Sequence, residues 1–473
     1  MSRIVFTLAF AASGLLAQAP TPGPLVRLYP VALDASGQPV TDLTADDFKI
    51  VDQNKAQTIF TFHKPRNEPA VPLESLEFSN RTSAVMPHVT VILFDMINLA
   101  DSDRLETWKA LDKSIPQLES GENVYFYLLN LEGALIPIHP MGPPAADDKT
   151  WHQGVAKAFD KVMKASSHAR PVQSGAEDQV KKTFKAFEDI ANTLTAFPGR
   201  RNIVWVANGL TTVGDPMLPG CNGDWVECAL YVPHLAVTLA KDGVAVNPYA
   251  FIGNINADVN YNMEQMALLT GGHFYFRQEL QAVLKQVAQS AAGSYSISYD
   301  PGPENWNKKW HRAHITCERK GVKVQVRERY YALPDSRSPA ERMKAVLMEA
   351  YQSPTDLGEV GLRTKISSMG SDKMGVHLEI RIDPLDLMLR EQGGKYSGAI
   401  YCLISDRSAT APLGEPQVLD LKPELTAEQY KTVLKDGLPF AQDHPTSDAV
   451  RQVRVIVLDQ NTNAVGSVTF PVK

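Results

Sequence analysis

The feature that most constrains the fold is the alternation of strand and helix patterns between about Val89 and Phe276. The first strand pattern, Val89–Asp95, is an almost unbroken apolar run that ends in an acid, which is typical of a strand buried on both faces. A helical pattern follows from about Asp101, and further strands and helices alternate after it. Such alternation predicts a parallel sheet with crossover helices. We therefore predict a doubly wound, mainly parallel α/β domain over residues 87–290.

Alternating strand patterns flank this α/β region on both sides. Residues 20–86 indicate a small N-terminal β-module followed by a linker, and residues 291–333 return to strand alternation. We expect these two sets of strands to pair, so that the α/β domain is an insertion in a β-module. Residues 340–473 contain a third set of strand patterns, which we interpret as a β-sandwich. The predicted fold class is α/β plus β: a Rossmann-like domain with flanking Ig-like β-sandwich modules.

Residues 1–19 predict export from the cytoplasm. Arg3, an apolar run and Ala17-Gln18-Ala19 match the basic region, the apolar region and the small-residue cleavage site of a signal peptide. The apolar run is shorter than the about 20 residues that a bilayer-spanning helix needs. We therefore expect a periplasmic or extracellular protein with no transmembrane segment in the mature chain.

Charge and motif content exclude several functions. Lysine and arginine number 47 against 53 aspartates and glutamates, so no positive excess is available to bind nucleic acid. The sequence has no Gly-x-Ser-x-Gly elbow, Walker loop, dinucleotide-binding glycine motif or His-Glu-x-x-His motif. We therefore predict that the protein is not an enzyme.

The loop between residues 220 and 228 carries two of the four cysteines. Cys221 and Cys228 lie among turn-forming residues, and in an oxidising compartment we expect them to form a disulfide. The alternative is a metal-binding loop. Its further ligands would be Asp224, Glu227 and His234.

Several segments between residues 25 and 332 occur in a characteristic order and spacing. They are residues 34–48, Phe94-Asp95, residues 198–205, Thr270-Gly271-Gly272, residues 295–299 and residues 326–331. Together they resemble von Willebrand factor A-type proteins, of the exported kind common in acidobacteria. The resemblance implies an A-type α/β domain that binds another protein or a cell-envelope component.

The resemblance also implies a binding site at the end of the first strand. Metal-binding A-type domains carry Asp-x-Ser-x-Ser there, because hard cations prefer oxygen ligands. This chain reads Asp95-Met96-Ile97-Asn98-Leu99, so the aspartate is kept and both serines are replaced by apolar residues. The implied site is a degenerate metal-ion-dependent adhesion site, with Asp95 as the metal candidate and Mg²⁺ or Ca²⁺ as the candidate ion. Its residues are Asp95, Asn98, Asp101, Asn208 and Thr211.

The sequence also allows other roles for Asp95 and for the whole protein. Asp95 can instead be a structural carboxylate that orders the loop after its strand. For the whole protein, the favoured function is adhesion or protein binding through loops at the carboxyl ends of the parallel strands. One alternative is a secreted hydrolase that uses the loops after Asp95 and Asn208. Another is a structural component of the cell envelope.

Overall fold

The structure is a computed structural model. It describes residues 24–65, 72–81, 89–114, 124–139, 151–167, 176–195, 197, 199–209, 231–251, 257–369 and 374–472. The predicted signal peptide, Thr211 and the loop with Cys221 and Cys228 lie outside these residues. Within them, no helix is both long enough and apolar enough to cross a membrane.

Strands come first in the described chain, and alternating strands and helices follow them. The first strands are β1 (Val26–Leu28), β2 (Val31–Leu33), β3 (Phe48–Asp52), β4 (Lys55–Gln57), β5 (Ile59–His63) and β6 (Glu77–Ser79). The α/β region contains β7 (Val89–Asp95), α1 (Asp101–Ser114), β8 (Val124–Leu129), β9 (Leu135–His139), α2 (Trp151–Ser167), α3 (Ala176–Leu194), β10 (Arg201–Val206), α4 (Tyr231–Lys241), β11 (Val244–Ala250), α5 (Ala257–Thr270), β12 (Tyr275–Phe276) and α6 (Leu280–Ala292).

Strands dominate the remainder of the chain. After the α/β region come β13 (Ser296–Tyr299), β14 (Trp310–Cys317), β15 (Lys323–Gln325) and β16 (Arg329–Tyr331). The C-terminal region contains α7 (Pro339–Gln352), β17 (Leu362–Ser368), β18 (Gly375–Ile382), β19 (Arg390–Gln392), β20 (Lys395–Ser397), β21 (Ile400–Arg407), β22 (Pro412–Leu421), β23 (Glu424–Thr426), α8 (Ala427–Asp436), β24 (Leu438–Pro445), β25 (Gln452–Asp459) and β26 (Val465–Pro471).

The α/β region is a six-stranded sheet with the order β12-β11-β10-β7-β8-β9. All neighbouring strands are parallel except the edge strand β9, which runs antiparallel to β8. Every residue of β7 and β10 is buried. Helices cover both faces of the sheet: Phe187 of α3 belongs to the core on one face, and Trp108 of α1 to the core on the other. The predicted mainly parallel, doubly wound sheet is therefore present.

The strands before and after the α/β region form shared sheets. β13 lies between β1 and β5, while β14 pairs with β3 and β16. The β14–β3 register places Ile315 opposite Ile50, and both side chains lie in one core with Phe48 and Tyr295. The α/β domain is thus inserted between two halves of one β-module.

The C-terminal region contains two four-stranded sheets, β24-β18-β17-β6 and β22-β21-β25-β26. Their apolar faces share a core that includes Leu378, Cys402 and Val455. Cys402 and the half-buried Cys317 of β14 are free thiols. Burial raises the pKa of Cys402 to about 12, so this thiol stays protonated and acts as a small apolar core residue.

One segment departs from the linker that the sequence predicts over residues 64–86. Glu77–Ser79 forms β6 and pairs with β17 of the C-terminal sheet. Asn80 follows it and donates its Nδ2 to the carbonyl oxygens of Leu357 at 2.7 Å and Val360 at 2.8 Å. A three-residue strand has too short a pattern to be recognised in sequence, and its partner lies almost 300 residues away.

Arg81 anchors this segment to the C-terminal region. Its Nη1 lies 3.1 Å from Asp383 and its Nη2 lies 2.7 Å from the buried Asp386. We expect Arg81→Ala to lower the free energy of unfolding by about 2–4 kcal/mol, because Asp386 loses the guanidinium that compensates its buried charge. Chemical denaturation measures this change. Lys365→Ala, which breaks an exposed ion pair with Glu74, is the matched control and should cost less than about 1 kcal/mol. Equal effects of the two variants would contradict the anchoring role.

Candidate functional site

The Asp95 carboxylate lies at the end of β7 and is completely buried. Its Oδ1 accepts hydrogen bonds from the backbone N–H groups of Ile97 at 3.0 Å and Asn98 at 3.1 Å. Its Oδ2 accepts from Nδ2 of Asn98 at 2.6 Å and from the indole Nε1 of Trp205 at 3.0 Å. Asp95 therefore fixes the loop that follows β7 and connects it to the adjacent strand β10.

The electrostatic environment of Asp95 combines two opposed effects. Burial raises its pKa above the ordinary value, while the hydrogen bonds from Asn98, Trp205 and Ile97 counter part of the rise. Arg104 of α1 donates its Nε to the carbonyl of Met96 in this loop at 3.1 Å. Arg104 also pairs with Asp101.

Asn208 follows β10 and closes the other side of the site. Its backbone N–H donates to the Asn98 carbonyl at 3.0 Å, and its Nδ2 donates to Oδ2 of Asp103 at 2.6 Å. Asn98 in turn donates Nδ2 to the Thr183 hydroxyl of α3 at 2.8 Å. Loops from β7 and β10 therefore meet at the point where the connections leave the sheet in opposite directions, which is where open α/β sheets bind ligands.

Three of the predicted site residues lie together in the structure, and Asp101 lies apart from them. Asp95, Asn98 and Asn208 form one hydrogen-bonded cluster. Asp101 lies outside it on the exposed first turn of α1, and its side chain is 79% exposed. Thr211 falls outside the described residues.

Two residues of this cluster are absent from the sequence prediction: Thr183 and Trp205. Of these, Trp205 gives a detectable signal in sequence. It is an indole in the middle of a buried strand pattern, and a buried indole N–H needs an acceptor. The register pairs Trp205 with Leu93, two residues before Asp95. Thr183 gives no comparable signal, because it does not lie in a distinctive pattern.

A divalent cation does not fit the Asp95 site in this arrangement. Both carboxylate oxygens face N–H donors, and a metal ligand needs a free lone pair directed at the ion. The amide oxygens of Asn98 and Asn208 are buried without a hydrogen-bond partner in the described part of the chain. These two neutral oxygens alone form a poor Mg²⁺ or Ca²⁺ site, because the oxygens of Asp95 are already occupied by N–H donors. Within the described ranges, no group of three or more His, Cys, Asp or Glu side chains could hold a metal ion.

Several solved structures show a distant likeness to this chain. No protein-family model matches the chain, and no curated protein matches it. An aerotolerance-related membrane protein from Bacteroides fragilis is 14% identical with a TM-score of 0.28, over 43% of this chain and 98% of that one. Proximal thread matrix protein 1 from the mussel byssus is 12% identical with a TM-score of 0.27, over 48% of each chain.

Two further structures complete the comparison. The same mussel protein with a zinc-occupied MIDAS motif is 11% identical with a TM-score of 0.26. The human COPII-coat protein Sec24c is 10% identical with a TM-score of 0.26, and this chain covers 43% of its length. The chain thus covers less than half of the mussel and human proteins. Such low scores assign no function, so the fold assignment is made from strand order and direction. The fold is doubly wound α/β. The β-strands that flank it form separate sheets.

Proposed function

We propose that this chain is an exported, non-enzymatic binding protein with a von Willebrand factor A-like domain. In this proposal the domain is carried on β-modules and engages another protein or a cell-envelope component. The partner binds at the carboxyl edge of the parallel sheet, around the loops that follow β7 and β10. Binding there does not use a metal ion, so the degenerate adhesion site acts through its fixed loop surface.

The observation that carries this proposal is the way Asp95 is used. In this arrangement the carboxylate orders a loop and is not available to a ligand, since four N–H groups occupy it. The ordered loop leads directly into α1, whose first residues are exposed. Leu105 is 56% exposed and Asp101 lies one turn before it. A rigid loop beside an exposed apolar and acidic helix start supports protein recognition, because little conformational entropy is lost on binding.

The same geometry supports a protein that is not an enzyme. A general base or nucleophile must reach its substrate at hydrogen-bond distance. Asp95 is completely buried, and its oxygens are already hydrogen-bonded to the protein. Asp95 itself is therefore not placed to act as the general base or nucleophile of the hydrolase alternative.

Capture of a partner from a cell-envelope extract tests the proposal. We expect the immobilised mature chain to retain one partner saturably, and we expect capture by Leu105→Asp to fall at least roughly tenfold, because a charge placed in an apolar contact costs about 1.4 kcal/mol or more. Leu434→Asp is the matched control: Leu434 is an exposed leucine of α8, 38% accessible. We expect it to capture as the unmodified chain does.

Each arm of the experiment has an outcome that contradicts the proposal. Capture that disappears in EDTA would show that a metal is required and would overturn the metal-independent mechanism. Absence of any saturable partner would favour a structural envelope component. Turnover of ester or peptide substrates that depends on Asp95 would show that the protein is a hydrolase.

A further inference from the structure

A small cavity lies between the α/β domain and the β-module, remote from the Asp95 site. Its volume is about 10 Å³, and its polar lining includes Tyr29, Arg200, Thr270 and Arg327. Arg200 precedes β10 and Thr270 ends α5, whereas Tyr29 follows β1 and Arg327 precedes β16. The cavity is therefore built from both sides of the junction between the two units. Its volume matches roughly one water-sized sphere.

Arg200 lines this cavity without a carboxylate partner among the described residues. The residue is 3% exposed. Within the same part of the chain its guanidinium donates to neutral oxygens: the Gly271 carbonyl at 2.6 Å, the Tyr29 carbonyl at 3.3 Å and Oδ1 of Asn202 at 3.4 Å. Burial lowers the pKa of Arg200 to about 10, which still leaves it cationic at neutral pH. Buried charges are normally paired, because desolvation is costly.

Arg327 is a second arginine in the lining of this cavity that has no ion-pair partner in the described residues. It is partly buried, and its Nη2 donates to the Arg27 carbonyl at 2.7 Å. Neither Arg200 nor Arg327 lies within ion-pair distance of an acid in the described residues. Arg27 differs from these two arginines, because its Nη1 forms an ion pair with Glu359 at 2.8 Å. Two cationic groups thus line one cavity from opposite sides, supported by neutral acceptors alone.

Two glycines allow the chain segments around this cavity to approach each other closely. Gly271 has a φ of +81°, and a Cβ there would lie 3.0 Å from the backbone nitrogen of Arg327 and 3.5 Å from Nη1 of Arg200. Gly243 has a φ of +71°, and a Cβ there would lie 2.8 Å from the Tyr29 ring. Both residues adopt a left-handed conformation that favours glycine. The turn with Thr270-Gly271 thus brings the two arginines to one cavity.

We infer that this cavity binds a monatomic anion of the halide class, held between Arg200 and Arg327. A halide supplies the negative charge that both guanidinium groups lack, and it is a single atom only slightly larger than the water molecule for which the cavity has room. Phosphate, sulfate and carboxylates are too large for this space. The bound ion links the α/β domain to the β-module, so it stabilises the folded chain in proportion to its occupancy.

Thermal unfolding in matched sodium salts tests this inference. At constant ionic strength, we expect Tm to be higher in chloride or bromide than in gluconate by roughly 2 °C or more. We expect Arg327→Gln to abolish this difference. Arg329→Gln removes a positive charge at an exposed position two residues away and serves as the control, in which the difference should persist. Equal Tm values in chloride and gluconate for the unmodified chain would overturn the inference, as would an unchanged difference in Arg327→Gln.

Crystals of the unmodified chain grown in sodium bromide give a second, direct readout. We expect an anomalous bromide peak in the cavity, in contact with Arg200 and Arg327. This measurement decides the matter if Arg327→Gln fails to fold. A water molecule in the cavity without an anomalous signal, or bromide at the protein surface alone, would show that the site does not bind halide.

Discussion

Asp95→Ala is expected to lower the free energy of unfolding by roughly 3–5 kcal/mol, because the variant leaves several buried donors without acceptors. The Trp205 indole, the Asn98 amide and two backbone N–H groups all donate to this carboxylate. Trp205 is completely buried, so its indole N–H loses its acceptor in a place closed to solvent. Urea denaturation monitored by tryptophan fluorescence measures the loss. Asp101→Ala removes a nearby exposed acid and should cost less than about 1 kcal/mol.

The pH dependence of Asp95→Asn separates the charge of this group from its hydrogen bonds. Burial raises the folded-state pKa of Asp95 above the 3.8 of an ordinary aspartate. The folded state then retains a proton that the unfolded chain releases. The stabilisation contributed by Asp95 is therefore fully present below about pH 3.8 and decreases as the pH rises through the folded-state pKa.

Asparagine does not titrate, so it provides the reference for this dependence. We expect the stability of the unmodified chain, relative to Asp95→Asn, to fall as the pH rises from about 3.8 and to level off above the folded-state pKa. Denaturation curves at several pH values measure it. A relative stability that rises with pH would show that the hydrogen bonds outweigh burial and depress the pKa. A cost for Asp95→Ala similar to that of Asp101→Ala would contradict the structural role altogether.

Gly272→Ala is expected to destabilise the fold by roughly 3 kcal/mol or more. A Cβ at Gly272 would lie 1.8 Å from the carbonyl oxygen of Val246 and 2.6 Å from its carbonyl carbon. Val246 belongs to the buried strand β11, so this backbone cannot move without disturbing the centre of the sheet. Either β11 shifts or the chain after α5 moves away, and both changes expose core residues.

A second glycine supplies the matched control for this substitution. Gly154 is exposed within α2, and a Cβ there would meet no atom within 4 Å. Gly154→Ala should therefore stabilise the protein by about 0.5–1 kcal/mol through higher helix propensity. Thermal or chemical denaturation of the two variants side by side measures the destabilisation by Gly272→Ala and the stabilisation by Gly154→Ala. A neutral Gly272→Ala would show that the chain after α5 is not packed against β11.

The sequence reveals Asp95 but leaves its role open between a metal-site acid and a carboxylate that orders the following loop. An acid at the end of an apolar strand pattern is visible in a run of seven residues, and the rules of open α/β sheets then predict its position. What the carboxylate does depends on Trp205, which lies 110 residues away in the chain. β6 likewise depends on residues far away in the chain. It is a segment of three residues that completes the sheet of β17, β18 and β24. Short segments carry too little periodicity to indicate their partner.

The sequence by itself determined the local elements and their class, because strand and helix periodicities are set by neighbouring residues. The parallel sheet, its buried central strands and the Asp95 position all follow from such patterns. Only the tertiary structure decided which buried polar and charged groups have hydrogen-bond or ion-pair partners. It surrounds Asp95 with N–H donors and brings Arg200 and Arg327 to the lining of one cavity, where neither has a carboxylate partner among the described residues. The free energy of a buried charge depends on every group around it, and those groups come from distant parts of the chain.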